Sequence, residues 1–191
     1  MKASNYIGTL FEIINKAVIT DEFGTRLGLN EGTYKIIELI KLQTALGKKI
    51  IFIGNGGSAS IASHGALDFW KNGGLRAVSF NEGALLTCIG NDYGYSHVFE
   101  KPIEMFADEG DVLIAISSSG KSENILKGVK AAKELKCGVI TLSGFSEENP
   151  LREMGDINIY VPSGEYGFVE LSHQIAIHMI VDIIMKEKLV V

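Results

Sequence analysis

The chain has 191 residues, 46% of them hydrophobic and 21% charged, with a formal net charge of −5. That length allows one sizeable core, and the composition is that of a soluble globular domain rather than a disordered chain. The acidic balance, with no basic stripe, excludes a nucleic-acid partner bound by phosphate neutralisation. No 18-residue apolar run is read in the sequence, so no transmembrane helix or membrane partner is expected. The opening residues, MKASNY, carry no signal core. Cys88 and Cys137 each sit in apolar sequence and read as buried free thiols of a cytoplasmic protein.

Taken in order, residues 3–18 place Ile7, Leu10, Phe11, Ile14 and Val18 at helical spacing. Residues 31–46 repeat the pattern with Ile36, Leu39, Leu42 and Leu46, and Gly47 closes it as a C-terminal cap would. Two helices ahead of the first strand exceed what one βαβ unit needs, so their apolar faces serve either the core or a second subunit. Lys49 to Ile53 predicts the first buried strand, which runs into Gly54-Asn55-Gly56-Gly57-Ser58. Glycine there allows positive φ and close approach of a ligand to the backbone. Ser58 is the expected cap of a helix over 59–70. A second strand follows at 75–80, a short helix at 82–89, a turn-forming loop over Gly90-Asn91-Asp92-Tyr93-Gly94, and a helix at 98–106 interrupted by Pro102. Then come strands at 111–116, 138–142 and 157–161, a polar loop over 144–149, and a long closing helix from Phe168 to Lys188.

The stretch that carries most chemistry is Ser117-Ser118-Ser119-Gly120-Lys121-Ser122, between the strand at 111–116 and a helix at 123–135. The first N–H groups of a helix lack intrahelical partners, and the macrodipole is positive there. Phosphate fits such a place. A helix cap needs one hydroxyl; four in six residues exceed that need. Strands alternating with helices predict a three-layer α/β domain with a parallel sheet. In such sheets ligands bind at the carboxyl ends of strands, where strand order reverses. Both loops, 54–58 and 117–122, follow strands, so a small phosphate ester is the expected ligand.

Ionisable residues form a second constellation. His64 and Asp68 are four apart on one helix face. Glu170, His173 and His178 lie on the last helix, with Glu170 and His178 eight apart, about 80° round the axis. Two imidazoles and two carboxylates are suitable ligands for zinc or another divalent ion. His173 lies off that pairing and reads as a packed histidine, and His97 has no partner in the sequence.

Together, the run 54–58, His64 six residues on, Gly90-Asn91-Asp92-Tyr93-Gly94, Gly110-Asp111-Val112-Leu113, the serine loop and Val139-Ile140-Thr141-Leu142-Ser143-Gly144 resemble the phosphoheptose isomerases, proteins built on the sugar-isomerase (SIS) domain. The resemblance implies a five-stranded parallel sheet between helices. It implies one SIS domain over 1–191, with 1–47 a helical segment used in assembly and 48–191 the α/β core. It also implies a homotetramer with sites shared between subunits. The implied activity is an aldose–ketose isomerisation, sedoheptulose 7-phosphate to D-glycero-D-manno-heptose 7-phosphate. Residue by residue, Ser117, Ser118, Ser119 and Ser122 match phosphate-binding hydroxyls, and Asn55, Gly56, Gly57 and Ser58 the first substrate loop. Asn91 and Asp92 match further sugar contacts, and His64 and His178 match zinc ligands. Family members have Glu where this chain has Asp68, and Gln where it has Glu170, within a run that here reads Phe168-Val169-Glu170-Leu171. The expected metal set is therefore His64, Asp68, Glu170 and His178, with Glu170 also a substrate contact and Asp68 and His178 the acid/base pair. Asp places its carboxylate about 1.5 Å further back than Glu, and Glu for Gln adds a charge. Two other readings are an isomerase of a different sugar phosphate and a non-catalytic SIS-domain protein that binds a sugar phosphate or a partner.

Overall fold

The computed structural model describes residues 2–188; Met1 and 189–191, within the expected domain span, lie outside the described residues. Seven strands form one sheet in the order β2-β1-β7-β6-β5-β3-β4. Five of them are parallel: β3 (Ile50–Gly54), β4 (Ala77–Ser79), β5 (Val112–Ser117), β6 (Gly138–Ser143) and β7 (Ile157–Tyr160). These are the five strands read from the sequence.

Two short antiparallel strands extend the sheet beyond the five read from the sequence. β1 (Val18–Asp21) pairs antiparallel with β7, and β2 (Arg26–Leu27) pairs antiparallel with β1. Val18 is therefore not the last apolar position of the first helix but the first residue of a strand. α1 (Ala3–Asn15) stops before it, and the hairpin turns at Gly24 with φ +77°. The segment 1–47 is thus not wholly helical. Ile19 of β1 and Ile36, Ile37 and Ile40 of α2 (Leu29–Ala45) belong to the main core cluster, so α2 is a core helix. Leu42 and Leu46, placed by periodicity on its apolar face, are exposed. α1 lies against α7, with Tyr6 stacked on Phe168 at 4.6 Å, and none of its residues is fully buried.

The sheet residues alternate between two faces, as the pleat requires. Ile50, Phe52, Ile114 and Ile140 point toward α2, α3 (Gly57–Lys71) and α7 (Tyr166–Lys188). Ile51, Ile53, Leu113 and Val139 face the opposite layer, formed by α4 (Gly83–Asp92), α5 (Glu100–Phe106) and α6 (Glu123–Glu134). Pro102 is accommodated because it lies in the first turn of α5, where no N–H partner is needed. α7 is long and apolar enough to cross a membrane by length and composition, which the residue-run reading did not anticipate. Its apolar positions Val169, Ile177, Ile180, Val181 and Ile184 are buried within the fold.

Along the parallel strands the spatial order is β4-β3-β5-β6-β7: β4 is added on one side of β3 and the later strands on the other, so the strand order, not the strand direction, reverses between β3 and β5. Their register runs from Ile50 opposite Val112 to Gly54 opposite Ile116. The loops that leave these two strands open at the same carboxyl-end crevice, the place where doubly wound sheets bind ligands.

Candidate active site

The crevice is a cleft of about 250 Å³ lined by Asn55, Gly56, Gly57, Ser58, Ser117, Ser118, Ser119, Ser122, Tyr166 and Glu170. The loop 55–58 and the four serines expected to contact the ligand therefore meet in one place. Neither flanking helix is capped by a side chain. α3 starts at Gly57 rather than after Ser58, behind Gly56 with φ +54° and ψ −123°. α6 has Ser122 in the cap position, yet its hydroxyl makes no cap bond. Two helix N-termini thus present unsatisfied N–H groups to the cleft.

The serine hydroxyls are turned to other tasks. Ser117 Oγ accepts from Gly120 N at 3.2 Å and lies 3.5 Å from Ser122 Oγ. Ser119 Oγ accepts from Lys121 N at 3.3 Å. Ser118 Oγ is buried and has no hydrogen-bond partner. A buried polar atom left unpaired costs roughly 1–3 kcal/mol, and this hydroxyl lines the cleft. No lysine or arginine lines the cleft; an anion there is met by dipoles and hydroxyls.

The loop is braced from outside. Gly120 has φ +62°, and a Cβ on it would come within 1.9 Å of Asn149 Oδ1. Asn149 is fully buried, donates to Ser143 Oγ, Gly144 O and Ser146 O, and accepts from Arg152 N. On the other side of the cleft, Asn55 and the buried Asn124 exchange amide hydrogen bonds at 2.9 Å, and Tyr95 Oη donates to Asn55 Oδ1 at 3.0 Å. Asn124, Asn149, Tyr95 and Tyr166 escaped the sequence reading. Asn124 and Tyr95 carry only the weak signal of lying next to recognised motifs; Asn149 carries none.

Further along α3 and α7, His64, Asp68 and His178 converge. Asp68 Oδ2 lies 3.2 Å from His64 Nε2 and 3.4 Å from His178 Nδ1, and the two rings meet edge-on at 5.2 Å. Their ligand atoms all fall within 4.8 Å of one another. Asp68 is buried while both histidines remain open to solvent. Two imidazole nitrogens and one carboxylate oxygen suit a divalent ion with a position left for substrate.

Three expected assignments come out differently. Glu170 does not join this cluster; its carboxylate packs on Gly57 at the start of α3, in the cleft. Eight residues and about 80° of helix separate it from His178 on α7. Asn91 and Asp92 lie on the last turn of α4 rather than in a loop, bonded to each other at 2.8 Å, and neither lines the cleft. Cys88 is exposed, its thiol 3.6 Å from Asp92 Oδ2, whereas Cys137 is buried and burial pushes its thiol up to about 11.

His173 is fully buried, with Nε2 donating to Ser143 O at 3.1 Å and Nδ1 unpartnered. Burial lowers its pKa to about 4, so it is a neutral packed residue. His97, which showed no partner in the sequence, pairs through Nδ1 with Glu100, and its Nε2 accepts from Lys127 Nζ at 3.2 Å.

Comparison with known proteins agrees with this geometry. Residues 29–144 match the model of the SIS domain. The phosphoheptose isomerase of Geobacter sulfurreducens is 36% identical over 155 residues, covering 78% of this chain and 82% of that protein. That of Clostridium acetobutylicum is 37% identical over 172 residues, covering 83% and 86%. The structure of phosphoheptose isomerase from Neisseria gonorrhoeae superposes with a TM-score of 0.83 at 32% identity, covering 95% of each chain. The chain belongs to the phosphoheptose isomerase family of SIS-domain proteins.

Proposed function

We infer that this chain is an aldose–ketose isomerase of a phosphorylated sugar, and that its substrate is sedoheptulose 7-phosphate, converted to D-glycero-D-manno-heptose 7-phosphate. The observation that carries the reading is the pairing of an anion cleft, between the N-termini of α3 and α6, with an acid/base cluster farther along α3 and α7. The cleft offers two uncapped helix N-termini and the unpartnered hydroxyl of Ser118 to the phosphate. From the cleft to the cluster, Ser58 to His64 is six residues of α3 and Glu170 to His178 eight of α7. At 1.5 Å per residue these steps are about 9 and 12 Å. An extended seven-carbon chain, six C–C bonds of about 1.5 Å in zigzag plus its ester link, spans a comparable ~9–10 Å. A phosphate at one end of the heptose in the cleft therefore places the carbonyl end near His64, Asp68 and His178.

Isomerisation moves a proton between two adjacent carbons through an enediol. Asp68 and His178 are the acid/base pair that takes the proton beside the carbonyl and carries protons to and from the sugar oxygens. His64, Asp68 and His178 would hold a divalent ion, zinc by donor type. When bound, such an ion supplies a Lewis acid for the carbonyl oxygen. Asn55, Gly56, Gly57 and Ser58 would line the sugar, with Glu170 accepting from its hydroxyls.

We assign α1 to assembly, as the face that covers a neighbouring subunit in a homotetramer. Ile7 and Phe11 are exposed on it, and no residue of α1 is fully buried within the chain. A cytoplasmic setting accords with two unpaired cysteines. The test is turnover of a panel of ketose phosphates with five to seven carbons. Highest kcat/KM on the seven-carbon ester supports the reading; preference for a five- or six-carbon ester replaces the substrate; no turnover of any removes the isomerase.

A further inference from the structure

Asp68 is gripped from behind. Its Oδ1 accepts a hydrogen bond from Asn72 Nδ2 at 3.0 Å, while Oδ2 alone faces His64 and His178. Asn72 is where α3 ends. Its main-chain N–H and that of Gly73 both donate to the Asp68 carbonyl, at 2.9 and 3.0 Å. The same short turn therefore ties down both the backbone and one side-chain oxygen of Asp68.

A free carboxylate has two equivalent oxygens and a broad χ2 torsion, so either oxygen, or both, can turn toward a partner. Engaging Oδ1 removes that freedom. Asp68 is only 8% exposed, which leaves little water to replace the amide if it is lost. The shorter reach of Asp matters too: its carboxylate stays close to its own helix, within range of the residue one turn on.

We propose that Asn72 is a positioning residue for this cluster, holding Asp68 so that a single oxygen, Oδ2, is presented between the two imidazoles to a divalent cation. The proposal rests on reading the cluster as a cation site. Partners that orient a metal-binding side chain change metal affinity by 10–100-fold when removed. The pairing also closes the last turn of α3, so metal-free melting is read beside metal affinity.

The test measures zinc affinity of the full chain by competition with a chromophoric chelator, alongside thermal melting of the metal-free protein. Asn72→Leu keeps the size and removes the donor; Asn72→Gln keeps a donor; Asp68→Ala is the control. Asn72→Leu should weaken zinc by about 10–100-fold in a chain that metal-free melting shows to be folded, and Asn72→Gln should recover much of the affinity. Native zinc affinity in Asn72→Leu, with affinity lost in Asp68→Ala, overturns the role of Asn72 and leaves the cation site standing. Native affinity in Asp68→Ala as well overturns the cation site and the proposal together. If Asn72→Leu does not fold, Asn72→Ser, whose hydroxyl is too short to reach Oδ1, takes its place in the same comparison.

Discussion

The carboxylate of Glu170 packs on the α-carbon of Gly57 so closely that a Cβ there would meet its oxygens at 2.4–2.5 Å. One end of α7 thus delivers a carboxylate to the first turn of α3, inside a cleft otherwise made of hydroxyls and amides. At a helix N-terminus a carboxylate is stabilised by the dipole, but it also competes with any other anion that would use that dipole. Glu170→Gln should therefore tighten binding of inorganic phosphate. A half-buried like-charge pair is worth about 1–2 kcal/mol, so calorimetry should show a gain of roughly five- to thirty-fold. Weaker binding in Glu170→Gln would show that the carboxylate assists the anion site.

The serine loop is expected to act through KM. Ser119 and Ser122 are partly buried, and their hydroxyls are engaged only by weak contacts at 3.3 and 3.5 Å. A hydrogen bond to a charged group is worth about 1.5–3 kcal/mol. Ser119→Ala combined with Ser122→Ala should raise KM for the phosphorylated substrate by at least a hundredfold with little change in melting temperature. An unchanged KM would remove the loop from the site.

Gly120 has no room for a side chain. Its φ of +62° and the 1.9 Å approach of Asn149 Oδ1 to a Cβ both oppose substitution. Gly120→Ala should cost about 2–3 kcal/mol of stability, read from the denaturant midpoint, and should raise KM because the loop must shift. Asn149→Ala in the same background should relieve part of the clash, which a double-mutant cycle would detect.

His173 gives the stability a defined pH dependence. Folded, it stays neutral down to about pH 4, because burial disfavours the imidazolium. Unfolded, it protonates near 6.5. Between those values the unfolded chain binds the extra proton, so stability is full above pH 6.5 and falls as pH drops toward 4. The loss is of the order of 3 kcal/mol across the window. In urea titrations His173→Gln should show a shallower fall over pH 6.5–4 than the native chain; an identical slope would mean that His173 is not held neutral.

Much of this molecule is readable in the sequence where burial writes a continuous pattern. β3, β5 and β6 are buried on both faces, so Ile50 to Ile53 and Val112 to Ile116 read as unbroken apolar runs, and Val139 to Leu142 as one interrupted only by Thr141. The serine loop is legible because four hydroxyls exceed what a cap uses, and Ser122 indeed makes no cap bond. The hairpin at 18–27 is not legible: its strands have four and two residues, and Val18 happens to continue the period of α1. Asn91 and Asp92 sit next to glycines and read as a loop, but α4 runs on through them and breaks only before Gly94, which takes φ +90°. The pair Asp68 and Asn72 is visible as an i, i+4 spacing, yet which oxygen Asn72 takes is a matter of three dimensions. Asn149 meets Gly120 only through the tertiary fold.

The central claim is that the cleft and the histidine–aspartate cluster together isomerise a heptulose phosphate by proton transfer between adjacent carbons. Proton NMR of sedoheptulose 7-phosphate with the native chain in deuterated water tests it directly. The account predicts an aldose phosphate that carries solvent deuterium at carbon 2, and loss of both product and label in Asp68→Ala and in His178→Ala. A native chain that binds the ester yet forms no aldose and exchanges no proton would contradict it, and so would full activity in either variant.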